Sequence, residues 1–367
     1  MIATVTPLAS IFGSGFLIIV PVLESVLGAL AVVGVISVCG LAWLIGMAIR
    51  HNVATIEPLE AAGRMTEANR RIEKAADLVI VVAYVISVAR YLRIMAEYVM
   101  KFAGGSVEME RVLASVSVLI IAGVGIFRGF SGLDLMERIA LVAVLILTTV
   151  FGGALFFSDV GSLTGSGIEL PPVPDRSLLD ILLVLGGVVI AVQGFETVRY
   201  LAKEYDPRTR VLASRLSQFV SSSIYIGFVL VATPFMGIGT SDGPDATLLD
   251  IAERVVPLLT IPVVITALLS QFSAATADTV AADGNIKRIV ALRPSVSYVL
   301  IGAASILLIW LVPTLSIITL ASRAFAAYYA LQCVLAARSS EKLMARAGFG
   351  LLALVMLAIT LFARPAA

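Results

Sequence analysis

The chain alternates long apolar blocks with short polar joints, and the block lengths are the first informative quantity. Eleven blocks approach the ~20 residues a helix needs to cross the hydrocarbon of a bilayer. They cover 5–23, 27–49, 78–100, 110–128, 137–158, 179–200, 213–238, 255–280, 295–312, 314–336 and 346–363. The pattern predicts an all-α polytopic membrane protein with about 11 transmembrane helices. The ninth and tenth blocks meet at a tight hairpin around Pro313, and the longest polar joint, Arg50 to Asp77, carries both charge signs and predicts a short amphipathic helix at the surface. Two blocks are interrupted, the first by Ile11-Phe12-Gly13-Ser14-Gly15-Phe16 and the sixth by Gln193-Gly194-Phe195-Glu196. Glycine breaks in a membrane helix expose backbone groups that hydrocarbon cannot satisfy, so they survive where protein or a water-filled cavity surrounds them. Corresponding breaks in two halves of a chain point to the binding site of a transporter.

Composition narrows the class. Of the 367 residues, 59% are hydrophobic and 14% charged, and the mean hydropathy is +1.03, outside ordinary soluble composition. A net charge of +1 gives no attraction for nucleic acid. The first block has no basic residue before it and no small-residue cleavage site behind it, so it is expected as a retained span. Cys39 and Cys333 sit inside apolar blocks as small core residues, and His51 is the single histidine. No His/Cys metal cluster, resident cofactor or nucleophile–base set follows from these residues, so an enzyme is not expected. Sorting Lys and Arg with the N-terminus in the cytoplasm places eighteen of the 26 on inward segments, five on outward ones and three within spans. The expected location is a bacterial inner membrane, with the C-terminus outside after an odd number of spans.

In this orientation the outer half of the first span starts near Gly15, and its N-terminus presents N–H groups and a positive dipole end to an anion. The outer half of the sixth ends near Gln193, leaving carbonyls for an ammonium group or a cation. One break offers donors and the other acceptors, which matches the two ends of a zwitterion; Phe12, Gly13, Ser14, Gly15, Tyr84, Gln193, Gly194 and Phe195 are the candidate substrate contacts. The competing reading is that the glycines allow only close helix packing.

These residues also carry a resemblance. The segment Ile11–Phe16 followed by Pro21 resembles the broken first helix of the amino acid–polyamine–organocation (APC) superfamily. Gly194-Phe195-Glu196, with Glu204-Tyr205-Asp206-Pro207-Arg208 after it, is similar to that family's sixth helix and inner loop, and Ala281-Ala282-Asp283-Gly284 to the end of its eighth. The family usually has Arg where Ala282 stands, and commonly has twelve spans. The resemblance implies two inverted five-helix repeats, 1–158 and 159–338, with broken first and sixth helices and an accessory C-terminal helix in 339–367. It also implies an amino acid or a related small amine as substrate, moved by alternating access.

Ionisable groups inside the spans cost ~2.5–3.5 kcal/mol each on insertion scales, so each needs a partner or a task. Arg93 and Glu97, four apart, can neutralise each other. Arg90 has three candidate partners: Glu196, Asp278 or an anionic substrate. Arg323 is expected to pair with Asp278. Glu196 has three roles open to it: attracting a cation, carrying a proton, or capping the inner half-helix. Candidate coupling residues for H+ or Na+ are Glu196, Asp278, Ser270 and Ser273, although the adjacent hydroxyl pair of sodium-driven relatives is absent. An inorganic-cation transporter on the same scaffold and a non-transporting sensor or partner subunit are the alternatives.

Overall fold

Ser177, Thr66 and Asp206 open three of the helices as N-caps, each accepting from backbone N–H groups two or three residues on. Asp206 precedes Pro207 at the first helical position, and bonds from the Thr209 hydroxyl and amide and the Arg208 amide hold its carboxyl below the usual carboxylate range. In the computed structural model, residues 2–128, 130–163, 170–236, 247–290 and 292–364 are described, and among them there is helix and no strand. The α-helices are α1 (Val5–Leu27), α2 (Ala31–Ala61), α3 (Glu67–Ala103), α4 (Val107–Arg128), α5 (Phe130–Leu163), α6 (Leu178–Val188), α7 (Pro207–Ala232), α8 (Thr247–Val255), α9 (Thr260–Ile289), α10 (Pro294–Leu311), α11 (Thr314–Ser339) and α12 (Leu343–Phe362).

Among the described residues eight helical stretches are long and apolar enough to cross a membrane. One of them, Leu17–Ala61, runs from the end of the first sequence block through the second, and two shorter apolar helices, Leu178–Val188 and Ser295–Leu311, stand at the sixth and ninth. Each block seen in the sequence is thus mainly helical where it is described. The polar joint from Arg50 does not form a separate surface helix: α2 continues to Ala61, and α3 already begins at Glu67.

The sixth span differs from the rest. At 11 residues, α6 rises only about 16 Å. The crossing is continued by a 3-10 turn, Val189–Val192, then Gln193-Gly194 outside any helix, then a 3-10 helix, Phe195–Lys203. Gly194 takes φ +128°, a conformation other residues rarely adopt. The interruption expected in the first span is absent. α1 is helical from Val5 to Leu27, through Gly13 and Gly15. The reason is packing: a Cβ on Gly13 would stand 2.1 Å from the Ala274 Cβ, and one on Gly15 would stand 1.9 Å from the Ala191 carbonyl oxygen. The glycines let α9 and the sixth span approach α1.

Helices α3 and α9 form the centre. In α3, 72% of the apolar window is buried inside the protein, against 22% in α12. The faces of α4, α5 and α12 that point away from the bundle carry exposed Leu, Ile, Val and Phe, as a lipid-facing rim requires. The divider at 159–177 and the 239–250 segment fall partly outside the described residues.

Candidate functional site

The break at Gly194 lies against α1: a Cβ on Gly194 would meet Ile11 N at 2.6 Å and Ser10 Oγ at 2.7 Å. Side chains from two helices bond to the polar backbone around this contact, and a third helix takes a bond from the break itself. Tyr225 of α7 donates to the Ile11 carbonyl at 2.7 Å, and Gln271 of α9 donates through Nε2 to the Gly13 carbonyl at 2.8 Å. Gln193 donates through Nε2 to the Tyr91 hydroxyl of α3 at 3.0 Å. Phe12 packs on Tyr225 with ring centroids 5.6 Å apart, and Phe195 stacks on Tyr329 of α11 at 5.5 Å. Tyr84 is fully buried, edge-on to Phe325 and Tyr200. The side chain of Ser14 lies outside the described residues.

Since α1 is unbroken, its N–H groups at Gly15 belong to the helix and do not form the free donor end expected from the sequence. At the second break, Gly194 N–H donates to Glu196 Oε2 at 2.9 Å, and the Gly194 carbonyl accepts from Thr197 N and Oγ1. Polar capacity instead resides in side chains. Ser10 Oγ and Gln271 Oε1 are buried and accept or donate no hydrogen bond among the described residues, while the buried Asp278 carboxyl has the Ser87 hydroxyl beside it.

Glu196 is completely buried and well supplied: Gly194 N–H, the Tyr329 hydroxyl at 2.9 Å and the Tyr84 hydroxyl at 3.4 Å all donate to it. Tyr84 and Phe195 therefore serve its surroundings. Ser270 Oγ bonds the Ala267 carbonyl at 3.3 Å and Ser273 Oγ the Glu137 carbonyl at 3.4 Å, so the two hydroxyls turn to different helices. Arg323 does not reach Asp278. It donates through Nε and Nη2 to the Ala363 carbonyl, where the C-terminal end of α12 leaves acceptors exposed. Arg93 reaches Thr314 Oγ1 on α11 at 2.6 and 3.2 Å. Arg90, wholly buried, lies over the Tyr91 ring at 4.6 Å. It also lines a cleft with Ile18, Gly187, Ala191, Ser322 and Arg364, and so stands where that cleft meets the broken span.

The chain beyond the break is locked by charges. Arg199 pairs with Glu73 of α3 and with Glu57 of α2 (3.2 Å); Arg210 of α7 pairs with Glu57 (2.6 Å). Arg288 of α9 reaches Glu60 (3.2 Å), Glu73 (3.5 Å) and Asp77 (3.5 Å). Gln332 of α11 donates to Glu73 and accepts from Asn52. The sixth span is thereby tied to five others, α2, α3, α7, α9 and α11, at the end where the 3-10 helix terminates.

Sequence reasoning missed Ser10, Ser87, Tyr225, Gln271 and Tyr329. Gln271 and Tyr225 carried a signal, a polar group in mid-span, that the search for hydroxyl pairs passed over.

A family model described as APC superfamily transporter matches residues 1–363. The chain belongs to the APC superfamily. An uncharacterized protein of Aquifex aeolicus (strain VF5) is 35% identical over 339 residues, covering 90% of this chain and 82% of the relative. Membership makes this a multi-pass membrane protein of a transporter family.

Proposed function

We propose that this APC transporter moves an amino acid or a related small amine by alternating access, and that the substrate sits where α1 meets the break at Gly194. One observation carries the reading. Across that break a buried guanidinium, Arg90, lines a small cleft, and orphan acceptors, Gln271 Oε1 and Ser10 Oγ, lie within the bundle. A buried polar atom left without a partner costs about 1–3 kcal/mol, so the two acceptors Gln271 Oε1 and Ser10 Oγ are retained where a ligand supplies their missing bonds. A molecule with a carboxylate at one end and an ammonium at the other matches both, and the glycine-thinned α1 brings its backbone close to it.

The two halves, 1–158 and 159–338, then rock against each other about this point, with 339–367 as an accessory. The charged lock around Arg199 faces the cytoplasm in the orientation that the basic residues favour. Closed there, and with a cleft at Arg90 on the opposite side, this conformation is one end of the cycle.

Ligand binding raises stability by mass action, so a panel of small molecules can be tested before the substrate is identified. Thermal denaturation of the purified protein is followed with amino acids, the same acids lacking the amino group, polyamines and inorganic salts. Stabilisation by one or a few amino acids and not by their deaminated forms is expected. Stabilisation by salts alone would replace this reading with an inorganic-cation transporter.

A further inference from the structure

Two carboxylic acids are fully buried near the break, and their surroundings are opposite. Donors converge on Glu196 from Gly194 N–H, Tyr329 and Tyr84, as an ionised carboxylate requires. Asp278 is equally buried on α9, yet the one hydroxyl set to donate to it is that of Ser87, and no backbone N–H or tyrosine hydroxyl reaches it among the described residues. Ser87 stands beside it, and the other groups acting on it from α3 are Arg90, Tyr84 and Tyr91. From the sixth span Glu196 faces it, a like charge. α1 has Glu24 near its outer end and no titratable side chain at the break. On α5, Glu137 meets α9 at Ser273; on α10, Tyr298 acts on Asp283; and α4 holds Glu108, Glu110, Arg111 and Arg128 near its ends.

A carboxylate taken out of water with a single hydroxyl for a partner and a second carboxylate facing it is better held with a proton than with its charge. We infer that Asp278 is the proton-carrying residue of this transporter, protonated in the closed conformation, while Glu196 stays an ionised, structural acid that holds the break. The proton comes from water on one side when the α3–α9 contact is open to that side. It leaves to water on the other side once the contact reopens there, so nothing is oxidised and no covalent bond to the substrate forms. Sodium fits this place less well, because Ser270 and Ser273 point to separate carbonyls and bring no further oxygens to Asp278.

The use of this proton rests on the transport reading above, but its detection does not. Infrared absorption of the purified, ligand-free protein at neutral pH reports protonated carboxyl groups directly. The wild type should show a buried-carboxyl C=O band that is lost in Asp278→Asn, returns at a shifted position in Asp278→Glu, and persists in Glu196→Gln. A band retained in Asp278→Asn but lost in Glu196→Gln would overturn the assignment, as would a wild type with no such band. If the bands follow the expected pattern while no amino acid stabilises the protein, the substrate reading fails and the proton site stands.

Discussion

Gly194 shows what a single residue does here. Its φ of +128° turns the chain between two 3-10 segments, and its bare Cα lets Ser10 and Ile11 of α1 come within contact of it. Gly194→Ala therefore suffers twice, from a backbone region that costs a side-chain-bearing residue about 1–3 kcal/mol and from the close contact with α1. Gly63 is the comparison: it also has positive φ (+66°), but nothing lies within 4 Å of its added Cβ. Thermal denaturation should show a clearly larger loss for Gly194→Ala than for Gly63→Ala, and equal losses would deny the close approach of the two spans. The sequence already pointed to Gly194 and Glu196, because an acid two residues after a glycine within an apolar block serves no purpose in an unbroken, lipid-facing helix. It was ambiguous at Gly13 and Gly15, since a helix interior uses glycine equally well to break or to pack, and only the positions of Ala274 and Ala191 decide between them.

Elements were the most legible level. Apolar length alone located every span, because hydrocarbon thickness fixes how long a crossing must be. How spans are joined to one another was not legible: which acid Arg199 meets depends on the placing of α2 and α3, and in the sequence Arg199 served only to indicate orientation. The same holds for Arg323, which found a helix end instead of an acid. The lock around Arg199 makes its own prediction. Arg199 and Glu73 expose 2% and 3% of their side chains, and removing one member of so buried a pair costs at most about 3–5 kcal/mol. Glu73→Gln leaves Arg199 with Glu57 and the Tyr328 hydroxyl, so the closed conformation should lose stability. In a Ser10→Cys background without Cys39 and Cys333, the new thiol should react faster with a small reagent when Glu73→Gln is added. Unchanged reactivity would show that the network does not hold the bundle shut.

At the scale of the whole molecule, orientation and substrate come together. A cysteine at Val173, in the exposed joint before α6, should react with an impermeant thiol reagent in intact cells, and one at Lys203 should not; the reverse would invert the topology. The central claim is that the break at Gly194 and α1 together hold a molecule with both an amino and a carboxyl end. The most direct measurement is an experimental structure of the full chain in a lipid nanodisc with the amino acid that stabilises it most. Density between α1 and the break is expected, with the amino nitrogen in hydrogen-bond reach of Ser10 or Gln271 and the carboxylate turned to Arg90. Ligand density elsewhere, for instance among the Arg199 ion pairs, with the Gly194 contact unchanged, would contradict it.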